Sequence, residues 1–349
     1  MKKSIIATFA AATVAAACLP LFSGCSTQVG YVLKTDENGQ PYYSVAAEGF
    51  TSFMKGEVVI PETYGGYPVK EIEKQAFSGT AITKVTIPAT IEKIGTAAFA
   101  YNNSLTEVVF AEGSTLEEIS WGSFAYCLNL KSFTVPSSVK TVDVMAFYGC
   151  SSLEQIDLSA DLQRINREAF RDCKSLASIN LPEGLISIGE SAFYNCVSLE
   201  SIVLPDGMSD TEKPALDEDG NQLKDEDGNP VTTITPAVGP IAFFGCSSLK
   251  LAVLGEGITT VSEGLFAGCV GLETLYLPST LKEVKGVYST SSIVYGHAFF
   301  GTTNLKEVYF AGTEAEWAEV KIDDTVYEKV SDNSTLINAE KIFNKSYQK

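Results

Sequence analysis

The sequence predicts a β-rich repeat solenoid of about nine 23-residue units, with an N-terminal hairpin cap and a C-terminal cap. Three observations carry this. First, Cys127, Cys150, Cys173, Cys196, Cys246 and Cys269 are spaced 23, 23, 23, 50 and 23 residues apart, one period with a 27-residue insertion in one copy. Second, a phenylalanine stands three places before each of them, in a series that runs Phe77, Phe99, Phe124, Phe147, Phe170, Phe193, Phe243, Phe266 and Phe299. Third, the clearest copy, Ala169 to Phe193, carries the apolar skeleton Phe170, Leu176, Ile179, Leu181, Leu185 and Ile188. The spacing Leu-x-x-Ile-x-Leu ends in strand-like alternation, and Pro182 stops the strand. A unit this small cannot bury its apolar side alone. Stacking places each skeleton residue on its counterpart in the next copy, so columns form.

Residues 1–24 read as a signal peptide: Lys2 and Lys3, then an apolar run from Ile5 to Ala17, short and rich in small residues. Leu21 to Cys25 resembles a bacterial lipobox, with Phe22 in place of the usual leucine; Cys18 is a second, weaker candidate. Lipidation at Cys25 makes the chain anchored rather than spanning, and ordinary secretion is the alternative. Residues 25–57 then hold the lipidated start and a hairpin, Tyr31 to Ala46, around the turn signal Asn38-Gly39. Such a hairpin covers the first rung, which otherwise exposes the core.

Residues 58–312 form the repeats. The Phe, Leu and Ile columns are predicted core. The cysteine column matches Thr80, Asn102 and Thr302 in the flanking copies, so a small group with hydrogen-bonding capacity satisfies the place. Buried thiols serving turn backbone groups are one reading; disulfides between neighbouring rungs are the other, open to an oxidising compartment. Cys-x2–4-Cys ligand spacing is absent.

Two insertions interrupt the repeats, about residues 209–237 and 282–293. The first carries Asp-Glu-Asp-Gly-Asn twice, at 217–221 and 225–229. Neither copy aligns with a calcium loop, because Ala215 or Leu223 falls at the first ligand position. Both insertions follow the strand-ending proline, two rungs apart, and are expected on one edge as a composite patch. Tyr288 lies in the second.

Between the buried positions of each strand, side chains point outward. On the middle rungs these are small and polar. Towards the C-terminus they become Val203, Leu251, Val253, Tyr276 and Tyr309, a predicted exposed contact stripe. Ordinary strand propensity for Val and Tyr also accounts for them, and an insertion folded over the stripe is a further possibility. Residues 313–349 form the C-terminal cap, with the last few frayed.

The phrases Ile60 to Phe77, Ala146 to Leu158 and Ala242 to Leu254 resemble the BspA-type leucine-rich repeat family. The resemblance implies a β-rich leucine-rich repeat solenoid in a bacterial surface or secreted protein. Some members of the family are adhesins. The segment Asn304 to Val320 is similar to the family's terminal segment, in which Trp317 would close the last rung.

Charge narrows the partners. With 43 acidic and 25 basic residues the net charge is −18, which repels nucleic acid and anionic lipid. Catalysis has little to work with. His297 is the one histidine, it stands where Ser191 stands in the clearest copy, and there is no Gly-x-Ser-x-Gly. No cofactor is expected and the chain is expected not to be an enzyme. The function expected is a cell-surface binding or adhesion protein for an extracellular protein or polysaccharide. A structural lipoprotein without a dedicated ligand and a calcium-dependent binding module are the alternatives. His297 and Tyr288 join the stripe as candidate contact residues.

Overall fold

The computed structural model describes residues 29–47, 54–214, 222, 232–289, 294–325 and 333–348. The signal segment, Cys18, Cys25 and the acidic pair at 217–221 and 225–229 lie outside the described residues, apart from position 222 between them.

The chain coils as a strand-rich solenoid. Each turn of the coil has three parts: a short strand on an open face, a two-residue strand on a second side, and a tight turn carrying the phenylalanine. Second-side strands pair in parallel one repeat apart, as Glu118–Ile119, Thr141–Val142, Arg164–Ile165 and Ser187–Ile188 do. The hairpin Val29–Thr35 and Pro41–Ala47 is antiparallel, and its second strand lies parallel to Tyr67–Ile72. Asp36 fixes its turn by accepting from the backbone N–H of Asn38 and Gln40 at 2.9 and 2.8 Å.

The phenylalanine corner is the most regular part. All nine rings are 0% exposed. Consecutive rings stack face to face with centroids 5.1 to 5.7 Å apart, from Phe77 to Phe299. The spacing is that of hydrogen-bonded rungs, and the backbone supplies the reason. Each Phe N–H donates to the carbonyl just before the next phenylalanine, as Phe147 does to Ala169 at 2.8 Å and Phe193 to Ala242 across the long insertion at 2.8 Å. Aiming these groups along the coil requires left-handed backbone two residues before and two after the ring. Glu168 (φ 57°) and Asp172 (φ 61°) flank Phe170; Met145 (φ 57°) and Gly149 (φ 72°) flank Phe147. Such residues cost on the order of 1–3 kcal/mol each unless the surroundings over-determine them. Here the rung-to-rung bonds do. At Gly149 glycine suits the place on two counts, because it adopts φ 72° without strain and an added Cβ would meet the Tyr126 ring at 2.8 Å.

The cysteine column serves the same corner. Each thiol donates to the carbonyl of the phenylalanine one rung back: Cys127 to Phe99, Cys150 to Phe124, Cys173 to Phe147, Cys196 to Phe170, Cys246 to Phe193 and Cys269 to Phe243, at 3.0–3.2 Å. All six are buried free thiols. Thr80 and Thr302 donate instead to the phenylalanine carbonyl of their own rung, at 3.0 and 2.7 Å. The Asn102 amide donates to both Phe77 and Phe99 carbonyls at 2.6 and 2.8 Å. The cysteine column therefore adds a side-chain donor to carbonyls of which most already accept one turn hydrogen bond, as Phe147 O does from Cys150 N–H at 3.1 Å.

At the C-terminal end the structure differs from the sequence expectation. Trp317 does not close the last rung. It packs edge-on to Phe310 at 5.3 Å, from the helix Glu314–Ala318, and the chain continues past it. Lys321–Ile322 extends the second side, and Glu340–Phe343 pairs in parallel with Glu307–Phe310. The Phe299 N–H has no further turn to donate to. It donates to Asn333 Oδ1 at 3.3 Å, and the Asn333 amide donates back to the Asp323 and Lys285 carbonyls at 2.6 and 3.2 Å. A buried side chain thus supplies what the next backbone rung would have supplied. The residues after the last strand are held as well: Asn344 N–H donates to Gly312 O at 2.9 Å and Lys345 N–H to Phe310 O at 3.2 Å.

Each insertion contains an antiparallel hairpin, Thr211–Pro214 with Thr232–Thr235 and Tyr288–Ser289 with Val294–Gly296. Among the described residues the two hairpins are separate two-stranded sheets. The second turns towards the phenylalanine corner, where Tyr295 stands edge-on to Phe244 at 5.4 Å and to Tyr194 at 6.2 Å. Aromatic contact with the corner offers more than a free edge in water.

Candidate binding surface

The open face is where side chains are free to meet a partner, and its backbone decides which of them do. Its strands form three parallel sheets rather than one. Lys55–Val59, Ala81–Ile87 and Glu107–Phe110 make the first, Ser132–Thr134 and Gln155–Asp157 the second. Ser201–Val203, Leu251–Val253, Thr274–Leu277, Glu307–Phe310 and Glu340–Phe343 make the third.

In the third sheet the predicted stripe is brought into one row. Val203, Val253, Tyr276, Tyr309 and Ile342 are in register across consecutive strands, with Leu251 in the neighbouring row. The row is less exposed than the sequence suggests. Val253 is 5% exposed and is a core residue, and the other predicted members are half-buried. Large side chains on successive rungs, one strand spacing apart, shield one another. Tyr276 and Tyr309 stack at 4.5 Å, and Tyr347 from the C-terminal tail stands edge-on to Tyr276 at 5.1 Å. The tail thus lies against Tyr276, and the expected fraying does not reach Tyr347. Tyr309 donates to Glu307 Oε2 at 3.1 Å, and that hydrogen bond raises the phenol's pKa.

His297 is 1% exposed. It lies two places before Phe299, the position that Ser191, equally buried, fills before Phe193. It is a corner packing residue, not a contact residue. The backbone of Tyr288 lies in the second hairpin. The polar rungs, Ser132, Thr134, Gln155, Asp157, Ser178 and Asn180, are exposed as read from the sequence.

A sizeable hollow lies elsewhere. A groove of about 660 Å³ lies at the first break in the open face, between Glu107–Phe110 and Ser132–Thr134. Its lining mixes Val109 and Phe110 with Ser132, Thr134, Glu107 and Glu112. No lysine or arginine lines it. Glu107 is bonded to Lys84 at 2.8 Å, and Glu112 is exposed. The break coincides with a change in side-chain volume. Where neighbouring rungs carry Val108, Ile156, Ile179 and Ile202, this one carries Phe133. That ring is wedged against Phe110, Phe124 and Phe147 at 5.8, 5.0 and 4.7 Å. An over-large core residue displaces backbone, and here two strands lose their pairing. Two signals for this stood in the sequence: the aromatic at an aliphatic place, and the 25-residue interval from Phe99 to Phe124. A smaller hollow of about 180 Å³, lined by Asn180, Glu183, Val203 and Pro205, marks the second break.

Among the described residues no cluster of three His, Cys, Asp or Glu side chains forms a metal site, and no helix is long and apolar enough to cross a membrane. Burial pushes the Cys150 thiol up to about 12, and Cys127, Cys173, Cys196 and Cys269 well above the usual thiol range. Neutral buried thiols are poor nucleophiles.

Comparison with known proteins gives a family. No curated protein matches the chain. Among solved structures, a leucine-rich cell surface protein of Faecalibacterium prausnitzii is 19% identical, with 86% of this chain and 98% of that one covered and a TM-score of 0.40. The pneumococcal vaccine antigen PcpA is 20% identical over 90% of this chain and 81% of that one, with a TM-score of 0.43. A leucine-rich repeat protein of Bacteroides capillosus is 31% identical over 38% of this chain and 96% of that one, with a TM-score of 0.29. The family model described as BspA type leucine rich repeat region (6 copies) matches residues 50–154, 141–222 and 230–332, and the chain belongs to the BspA-type leucine-rich repeat family.

Proposed function

We propose that this protein is an exported, lipid-anchored bacterial surface protein that binds an extracellular protein or polysaccharide through the open face of its solenoid. The observation that carries the reading is the groove at the first break. It is a sizeable hollow with mixed polar and apolar lining, on the face whose side chains point outward. A rigid stack of rungs holds such a surface without an ordering cost on binding. The solenoid has nine rungs. The hairpin Val29–Thr35 and Pro41–Ala47 caps one end, and the segment containing Asn333 and Glu340–Phe343 caps the other.

A binding screen of the full chain against matrix proteins, mucins and polysaccharides tests the reading. A saturable ligand whose binding is lost on substituting open-face residues supports it. A blank across these classes with folded protein overturns it. For the anchor, metabolic labelling with an alkyne fatty acid should mark the wild-type chain and leave Cys25→Ser unmarked. Labelling unaffected by that substitution would move the anchor elsewhere.

A further inference from the structure

The outer side of the phenylalanine corner carries a second row of planar groups, one or two places after each phenylalanine. Tyr101 and Tyr126 stack at 5.0 Å, and Tyr148 meets Tyr126 at 5.1 Å. The Arg171 guanidinium lies 5.9 Å from the Tyr148 ring and 4.1 Å from the Tyr194 ring. Tyr194 and Phe244 then stack at 4.9 Å. The row thus holds two nearly parallel pairs, Tyr101–Tyr126 and Tyr194–Phe244, each at an interplanar angle of 10°. They differ in what lies over them. Tyr295 of the second hairpin stands at 88° to both members of the second pair, at 6.2 and 5.4 Å. A ring face set across ring edges is the favourable arrangement of the two quadrupoles. Among the described residues no ring spans the first pair in this way, and Tyr101 is 57% exposed. Trp121 is 44% exposed and has no ring partner among the described residues. It belongs to the same turn as Tyr126. Ala97 N–H donates to Trp121 O at 2.9 Å and Tyr101 N–H to Ala125 O at 2.7 Å, so Trp121 and the open pair stand at one height along the coil.

We propose that two copies of the chain meet at this corner, the Trp121 indole of each lying across the Tyr101–Tyr126 pair of the other as Tyr295 lies across Tyr194–Phe244. Three grounds single out a second copy. The first is self-complementarity. Ring and pair are both on this chain and at one height, so a two-fold axis parallel to the coil makes both contacts at once. The second is charge. Each copy carries a net −18 and repels its like, but the turns Gly95–Asn103 and Ser120–Asn129 contain no charged residue. Leu128, 37% exposed, adds apolar surface there. The third is position. A lipid at Cys25 lies just before the hairpin that begins at Val29, so these early turns sit near the membrane at the same height in every copy. A neighbouring copy reaches them more readily than a ligand arriving from outside, and anchoring raises the local concentration of copies. This last ground rests on the anchor proposed above. The pairing leaves the open face uncovered, so it adds to the binding reading.

Sedimentation equilibrium of the Cys25→Ser chain, which carries no lipid there, reads the self-association in solution. The expected result is a monomer–dimer equilibrium with Kd on the order of 10–100 µM, the range of a small interface. Trp121→Arg and Tyr101→Asn should each weaken it about tenfold. Both residues are native to this repeat: Arg167 fills the place of Trp121, and Asn195 fills that of Tyr101 with φ 60° against 61°. Circular dichroism should therefore show both variants folded. Ile186→Lys, at an apolar residue 47% exposed on another rung, should leave the equilibrium unchanged. In intact cells, p-benzoylphenylalanine in place of Trp121 should give on irradiation a product of twice the chain's mass. A monomer at every concentration up to about 1 mM, an equilibrium weakened equally by Ile186→Lys, or a crosslinked product of any other mass overturns the proposal. Dimerisation of the Cys25→Ser chain while the wild type takes no fatty-acid label keeps the pairing and removes the anchor. A monomeric chain that still binds a matrix protein or polysaccharide overturns the pairing and leaves the open-face function standing.

Discussion

The phenylalanine corner and the open face are built by the same repeat, yet one is unbroken from Phe77 to Phe299 and the other breaks twice. The difference lies in what each part tolerates. At the corner the ring, two left-handed residues, a buried donor and a rung-to-rung bond all fall within a few residues, so a change in any one disturbs the others. The open-face strands are three or four residues long in most rungs and carry few ladder bonds each. They part where the large ring of Phe133 and the 25-residue repeat coincide. Regularity thus concentrates where hydrogen bonds and packing coincide. Variation, and with it the opportunity for binding, collects where a lost bond can be replaced by water or a ligand.

The largest expected effect is at the corner. Phe147→Ala removes a 0% exposed ring between neighbours at 5.7 and 5.4 Å. It should cost about 3–5 kcal/mol in urea unfolding, while Tyr309→Ala on the open face should cost roughly 1 kcal/mol, the scale of an aromatic or cross-strand pair. Equal losses would break the comparison.

Next is the donor column. Cys173→Val fills the space but removes the thiol donor to the Phe147 carbonyl, which keeps the Cys150 N–H at 3.1 Å, so the loss should be about 0.5–1.5 kcal/mol. Cys173→Ser keeps a donor of the kind Thr80 and Thr302 supply, and should cost less than the valine in parallel thermal melts. A valine as stable as wild type would show that the thiols only fill volume.

A smaller effect sharpens the contrast. Phe133→Ile removes the wedge and should let Ser132–Thr134 pair with Glu107–Phe110. The gain of ladder bonds offsets lost ring burial, so stability should move by only about 1 kcal/mol or less. Hydrogen exchange at residues 132–134 should slow markedly. Unchanged exchange would mean that the longer 25-residue repeat, not the ring, holds the strands apart.

pH dependence is the gentlest probe. Burial of Glu71 raises its pKa, but hydrogen bonds to Lys34 and Lys93 at 2.7 and 3.1 Å outweigh this and lower it overall. A folded pKa below the unfolded one contributes stability that is present above the unfolded value, about 4.3, and lost as pH falls through the folded value. Glu71→Gln should flatten the acid limb of stability against pH. Cys127, Cys150, Cys173, Cys196 and Cys269 act at the opposite end: their folded pKa is raised by burial, so their contribution is present below the ordinary thiol value, about 8.5, and is lost as pH rises towards the folded value, about 12 at Cys150. An acid limb unchanged in Glu71→Gln would place the acid sensitivity on other carboxylates.

The sequence was most readable where one residue type recurs for one physical reason. Phe147, Phe170 and Phe193 mark the corner, Cys150, Cys173 and Cys196 the donor column, and Asn38-Gly39 the hairpin turn. The outward rows were also readable, because strand alternation sets which way a side chain points. How far they protrude was not. Val253 and His297 look available from the sequence and are buried. Asn333 gave no signal, since an asparagine that ends a hydrogen-bond ladder looks like any loop asparagine until the ladder is in place.

By itself, then, the sequence determined the period, the coil and the two columns, because near-identical units must stack their like residues to bury them. Only the tertiary structure decided where the open face parts, what Asn333 terminates, and that Tyr347 covers Tyr276. Each of these depends on a contact between residues far apart in the chain, and no local propensity records it.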